Sequence, residues 1–155
     1  MTDVALDIQR IDQALEESLA ALFREIKASD DHLHFHPHAF DDETAHWIAN
    51  YAGRDLYYGA RCAGDQGLIG YGMLRGWDAG HTVPSLGIII GQKARGRGLS
   101  KPLMSFLHAA ARGRGCAKIR LKVYRDNIAA MELYKHLGYV FGSEEDGQLV
   151  GIVDL

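Results

Sequence analysis

The stretch IIIGQKARGRGLS, residues 88–100, decides how the rest of the chain is read. An apolar run, VPSLGIIIG, has the continuous hydrophobicity of a strand covered on both faces. It enters a Gly- and Arg-rich turn that opens onto an amphipathic segment, where Leu99, Leu103, Phe106, Leu107 and Ala110 recur at helical spacing. A strand, a glycine turn and a helix start in that order gather free backbone N–H groups and the positive end of a helix dipole at one place. Glycine lets the backbone approach a bound anion closely. Pro102 is tolerated in the first turn of the helix, where N–H groups lack internal partners.

Three phosphate-binding patterns can be set against the turn. A Walker A loop fits Gly91 and Gly96, but Arg97 and Gly98 stand where Lys and Ser/Thr are required. A dinucleotide G-x-G-x-x-G fits Gly96 and Gly98 but meets Lys101 at its third glycine. The third, Arg-x-x-Gly-x-(Gly/Ala), matches Arg95 and Gly98 and departs only at Ser100.

Elements on either side follow from periodicity. Upstream, VALDIQRI reads as a short strand, and Ile11, Leu15, Leu19, Leu22 and Ile26 trace a helix over about residues 12–27. Asp41 or Asp42 can cap a second short helix through Trp47 and Tyr51. DLYYGARCAG and GLIGYGMLRGW read as strands joined at residues 64–67. Downstream, CAKIRLKVY alternates Ile119, Leu121 and Val123 with Lys118, Arg120 and Lys122, the pattern of a half-buried strand. DNIAAMELYKHLG is a helix, capped by Asp126 or Asn127 and ended by Gly138. A hairpin turning at residues 145–147 closes the chain. The order is β-α-α-β-β-β-α-β-α-β-β, an α/β mixed sheet with helices on both faces.

The loop followed by NIAAMELYKHLGY, an N-x-x-A-x-x-x-Y-x-x-x-G-(Y/F) pattern, resembles the GNAT superfamily of acyl-CoA-dependent N-acetyltransferases, most strongly over about residues 86–141. The resemblance implies a mostly antiparallel sheet of about six or seven strands, splayed at the coenzyme site, with about four helices. It implies a single domain over residues 1–155 that transfers acetyl from acetyl-CoA to a primary amine in a ternary complex. Arg95, Gly96, Arg97, Gly98, Leu99 and Ser100 would offer backbone N–H groups to the coenzyme pyrophosphate. Ile88, Ile89 and Ile90 would pair with the pantetheine arm, and Asn127 would cap its helix and contact coenzyme. Tyr134 would protonate the departing thiolate; without the motif, its place in the apolar stripe of Ala130, Leu133 and Leu137 would read as a core tyrosine. The strand before the loop has no carboxylate, so the base is a water relay, a histidine (His36, His38 or His81), or nothing if the amine arrives neutral. A coenzyme-binding sensor or assembly module that has lost acyl transfer is the alternative.

HLHFHPHAF, residues 32–40, holds four of the eight histidines, His32, His34, His36 and His38, at alternate positions. Pro37 argues against a central strand, and no cysteine or second ligand cluster lies beside the run, so no metal site is assigned. In the fold implied by the resemblance, this segment lines the acceptor side, with Phe35, His36, His38 and Phe40 as contacts. Asp30, Asp31, Asp41, Asp42 and Glu43 nearby would favour a cationic amine; a solvated acidic loop fits them as well.

The chain of 155 residues is 47% apolar and 24% charged with a net charge of -3, as expected of a soluble globular protein. Residues 93–125 carry ten Lys or Arg and no acid, which suits either an anion such as the coenzyme polyphosphate or a solvated face. An acidic chain without a nucleic-acid motif is not expected to bind nucleic acid. Cys62 and Cys116 read as buried thiols of a reducing cytosol, and nothing resembles a signal peptide or membrane span, so a cytoplasmic location is expected. Monomer and homodimer are both compatible with the sequence.

Overall fold

The computed structural model describes residues 5–33 and 35–155, with His32 described for its backbone only. Seven strands form one sheet in the order β1-β2-β3-β4-β5-β7-β6. They are β1 (Leu6–Arg10), β2 (Leu56–Cys62), β3 (Gly70–Arg75), β4 (Ser85–Ile90), β5 (Lys118–Val123), β6 (Val140–Glu145) and β7 (Gln148–Asp154). Four helices accompany them: α1 (Glu16–Ala28), α2 (Asp42–Ala49), α3 (Ser100–Gly113) and α4 (Ile128–His136). The mixed α/β architecture and the element order are those expected from the sequence.

Period-two alternation divides the core between the two faces of the sheet. Tyr57, Tyr71, Met73 and Ile89 point to one face, where Leu19, Leu22, Phe23 and Ile26 of α1 and Ala45 and Ile48 of α2 cover them. Leu74, Leu86, Ile119 and Leu121 point to the other, beneath Met104, Leu107 and Ala111 of α3. Gly72 lets α3 lie close, since a Cβ there would stand 3.0 Å from Leu107 Cδ1. The side chain of Asp41 caps α2 by accepting from the Thr44 N–H at 2.8 Å, and Asn127 caps α4 through Ala130 N–H at 3.4 Å. Gly138 ends the α4 turn at φ 96°, a conformation that glycine adopts without cost.

Every strand pair is antiparallel except β4 with β5. That parallel pair meets only at Ser85 and Arg120, whereas β3 stays in register with β4 through Ile90. Beyond Ser85 the two strands diverge, so the edge of β4 that faces β5 loses its ladder over Ile88, Ile89 and Ile90.

The basic run resolves into two parts. Lys118 pairs with Asp154, Arg120 with Glu145 at 2.6 Å, Lys122 with Asp146 at 3.3 Å and Arg125 with Glu144 at 3.1 Å. Acids of the β6–β7 hairpin therefore neutralise the β5 portion, whereas the loop and α3 portions lie away from that hairpin. Both cysteines are free and half-buried rather than fully buried. Among the described residues no helix is long and apolar enough to cross a membrane.

Candidate active site

The divergence of β4 and β5 opens a cavity of about 470 Å³. Ile88, Ile89 and Ile90 form one wall, and Asn127, Ala130, Leu133 and Tyr134 of α4 form the other. Arg95 and Ser100 stand at its loop end together with Asp31. Helix α4 has an apolar stripe yet no fully buried residue: Ala130 and Leu133 line the cavity, and Tyr134 lines it while also packing against the core beside Tyr139. Open β-edge polar groups opposite an uncovered apolar helix face suit a long ligand with amide groups, which can pair with the strand and cover the stripe.

The loop of residues 92–99 supplies the polar end. Gly96 and Gly98 sit at φ 79° and 71°, in the left-handed region, and a Cβ at either would meet nothing within 4 Å. Their conformation, not crowding, requires glycine, and such turns present successive N–H groups to an anion. Leu99 is buried against Ala94, Leu103 and Ile90, anchoring the loop to the sheet just before α3 starts. Gly96, Arg97 and Gly98 are exposed beyond the cavity wall. The Arg95 side chain turns inward, donating to Ile90 O at 3.4 Å and pairing with Asp31. Asp31 also accepts from Ser29 Oγ at 2.6 Å. Its presence opposite Arg95 was not legible in the sequence, because the turn after α1 brings it there through Asp30, a non-glycine residue at φ 62°.

Tyr134 lies on the cavity wall, and burial pushes its hydroxyl up to about 12. It therefore stays a phenol at neutral pH, able to donate a hydrogen bond.

A second cavity of about 380 Å³ follows the first along β4, lined by Ser85, Leu86 and Gly87. Phe35 lines both, and Gly87 of the second is the chain neighbour of Ile88 in the first, so the two meet at that point of β4. A Cβ on Gly87 would fall 2.5 Å from Met73 Cε and 3.0 Å from Phe35 Cζ, so the Phe35 ring rests where only glycine leaves room. His36, Arg75, Lys122 and Asp146 add polar groups to this cavity. Nε2 of His36 shares a 2.7 Å hydrogen bond with the Tyr124 hydroxyl.

The histidine-rich run divides. Phe35 and His36 line the second cavity, whereas His38 and Phe40, expected beside them as acceptor contacts, line neither cavity. Phe40 is buried edge-on against Phe23, with ring centroids 5.2 Å apart. His38 is sandwiched among Phe23, Phe40 and Tyr71. Its Nδ1 lies 2.8 Å from the Ala39 carbonyl, which can only accept, so Nδ1 carries the proton and Nε2 accepts from Tyr71 Oη at 2.9 Å. Burial depresses its pKa. As Pro37 leads one to expect, residues 35–40 form no strand, so their alternation does not put the side chains on one face. His81 lies in the turn after β3 and lines neither cavity. His34 and the side chain of His32 lie outside the described residues. Among the described residues, no group of three or more His, Cys, Asp or Glu side chains is placed to hold a metal ion.

Residues 13–139 match the Acetyltransferase (GNAT) family, and the chain belongs to that family. An acetyltransferase of Sodalis glossinidius (strain morsitans), SG1711, is 35% identical over 85 residues, 55% of this chain and 57% of that protein. The matched region thus spans little more than half the length of that curated relative. Among solved structures, the GNAT domain of S. lividans PAT is similar with a TM-score of 0.79 at 18% identity, over 96% of this chain and 89% of that one. The PaiA N-acetyltransferase of Thermoplasma acidophilum, solved in complex with coenzyme A, gives 0.76 at 16% identity over 98% and 100%. A spermidine N-acetyltransferase of Vibrio cholerae, solved with CoA and spermine, gives 0.76 at 18% over 96% and 95%.

Proposed function

We propose that this protein transfers the acetyl group of acetyl-CoA to a primary amine by direct attack within a ternary complex. The carrying observation is the junction of the two cavities at Phe35 and the Gly87–Ile88 step. The larger one suits the pantetheine arm, and the smaller one brings an amine to the same point of β4. The coenzyme's fit rests on the unpaired β4 edge, the uncovered face of α4 and the glycine loop, with Ile88, Ile89, Ile90, Asn127 and the backbone of residues 95–100 as the holding groups.

The amine lone pair attacks the thioester carbon, a C–N bond forms, the C–S bond breaks, and the ammonium proton ends on the thiolate sulfur. A backbone N–H of β4 polarises the carbonyl as negative charge builds on its oxygen. Tyr134 stabilises the departing thiolate by hydrogen bonding. An alkyl thiol such as that of cysteine has a pKa of about 8.5, so full transfer from a phenol near 12 is uphill unless the phenolate is reprotonated at once. Its first duty is therefore to donate a hydrogen bond, and its second to relay a proton. Of the three candidate histidines, His36 alone lines the acceptor cavity. It accepts the proton of the attacking nitrogen and passes it on through water to replace the one that Tyr134 gives the thiolate, with Tyr124 fixing its ring.

A thiol-release screen over amino acids, amino sugars, polyamines and peptide N-termini tests the reading, with acetyl-CoA binding measured in parallel. Turnover with one class supports transfer. Tight acetyl-CoA binding without thiol release from any amine overturns it and leaves a coenzyme-binding sensor. His36→Ala should lower kcat/KM for the acceptor by about tenfold to a hundredfold, the usual size of a general-base contribution, while acetyl-CoA affinity holds.

A further inference from the structure

Resting on that reading, we infer that the acceptor is a small amine carrying a carboxylate, a free α-amino acid, and that Arg75 recognises the carboxylate. Arg75 ends β3 and lies directly across from Ser85 on β4, two residues before Gly87. Gly87 is therefore the diagonal cross-strand neighbour of Arg75, about 7–8 Å away, so the amine junction lies within reach of the Arg75 side chain. Amine and carboxylate of an α-amino acid sit on adjacent carbons, and the arginine stem spans the remaining distance.

The charge around Arg75 agrees. Its guanidinium donates to the Pro37 carbonyl at 3.1 Å, which fixes the head against the cavity wall without neutralising it. Among the described residues no carboxylate pairs with it, whereas Lys122, the other cation of this cavity, already has Asp146 at 3.3 Å. The cavity thus holds an uncompensated planar cation, the group best suited to bind a carboxylate through two parallel hydrogen bonds. Three of the five acids that would draw a polycation are engaged elsewhere: Asp31 with Arg95, Asp41 as the α2 cap, and Asp42 with Arg24 at 2.7 Å. Phe35, Met73 and Leu86 leave an apolar wall for the side chain of the amino acid.

The test uses the full chain with saturating acetyl-CoA and reads thiol release from the twenty L-amino acids, their matched carboxamides, spermidine and a set of dipeptides. At least one free amino acid should turn over with kcat/KM about tenfold or more above its carboxamide, the loss expected when a charge-assisted pair is removed. Arg75→Gln should erase that preference with acetyl-CoA affinity unchanged, and Arg75→Lys should restore part of it. Equal or faster turnover of carboxamides, dipeptides or spermidine overturns the inference while leaving acetyl transfer intact. Should no amine release thiol, calorimetry of the same amino acids and carboxamides on the CoA-loaded protein decides it. Preferential binding of the free acids, lost in Arg75→Gln, upholds the carboxylate site, and no preference overturns it.

Discussion

Tyr134 carries the sharpest consequence of a single residue. Its ring packs against Tyr139 with centroids 5.8 Å apart, so the core holds a residue that also lines the cavity. Tyr134→Phe removes only that hydroxyl. Turnover should fall at least about tenfold, about 1.4 kcal/mol of barrier, with acetyl-CoA affinity nearly unchanged, as separate turnover and calorimetric measurements can establish. Asp31 makes the opposite kind of prediction. Its carboxylate occupies Arg95, the cation that lines the loop end of the larger cavity. A partly exposed ion pair is worth up to about 1 kcal/mol, so Asp31→Asn should tighten acetyl-CoA binding by up to about fivefold. Weaker binding in calorimetry would mean that Asp31 orients Arg95 instead of competing for it.

At the scale of elements, the site is a defect in the sheet. A fully laddered β4–β5 pair would close the larger cavity, and a longer side chain at Gly87 would part the two cavities. Gly87→Ala tests the second point. The new methyl would displace Met73 Cε, a flexible chain end, and press on the tip of Phe35. The melting temperature should drop by no more than a few degrees, while acceptor kcat/KM falls about tenfold and acetyl-CoA affinity stays within about twofold. Kinetics with the acceptor found in the thiol-release screen will show whether this holds. The elements themselves were legible, because periodicity, caps and turn glycines are local. Asn127 caps α4 and Asp41 caps α2 as their side-chain chemistry requires. The basic run was not, since only the β5–β7–β6 register brings Glu144, Glu145 and Asp146 beside the β5 cations.

For the molecule as a whole, the buried histidines set the response to acid. His38 is depressed chiefly by burial, opposed by its bond to the Ala39 carbonyl and reinforced by the nearby charge of Arg75; His108 is depressed by burial and by Arg112. The unfolded chain, with histidine near 6.5, takes up protons before the folded one does. Their contribution to stability is therefore complete above about pH 6.5 and is lost as pH falls through their lower folded values. Melting temperatures should decline below about pH 6.5. His38→Gln should be less stable at pH 7 but show a shallower decline, and an unchanged slope would assign the acid sensitivity to other groups.

The sequence by itself determined the order of elements, the glycine loop and the helix that bears Asn127 and Tyr134, because each depends on residues near one another along the chain. It could not separate His36 from His38, since alternation assigns both to one face while Pro37 and the aromatic packing send one to a cavity and the other into the core. Nor could it place Arg75, which reaches the second cavity through its pairing with Ser85 across β3 and β4. Which charges cancel and which remain free for a ligand is set by strand register and by where β4 and β5 part. Both are long-range properties, fixed by the packing of the whole sheet between its helices.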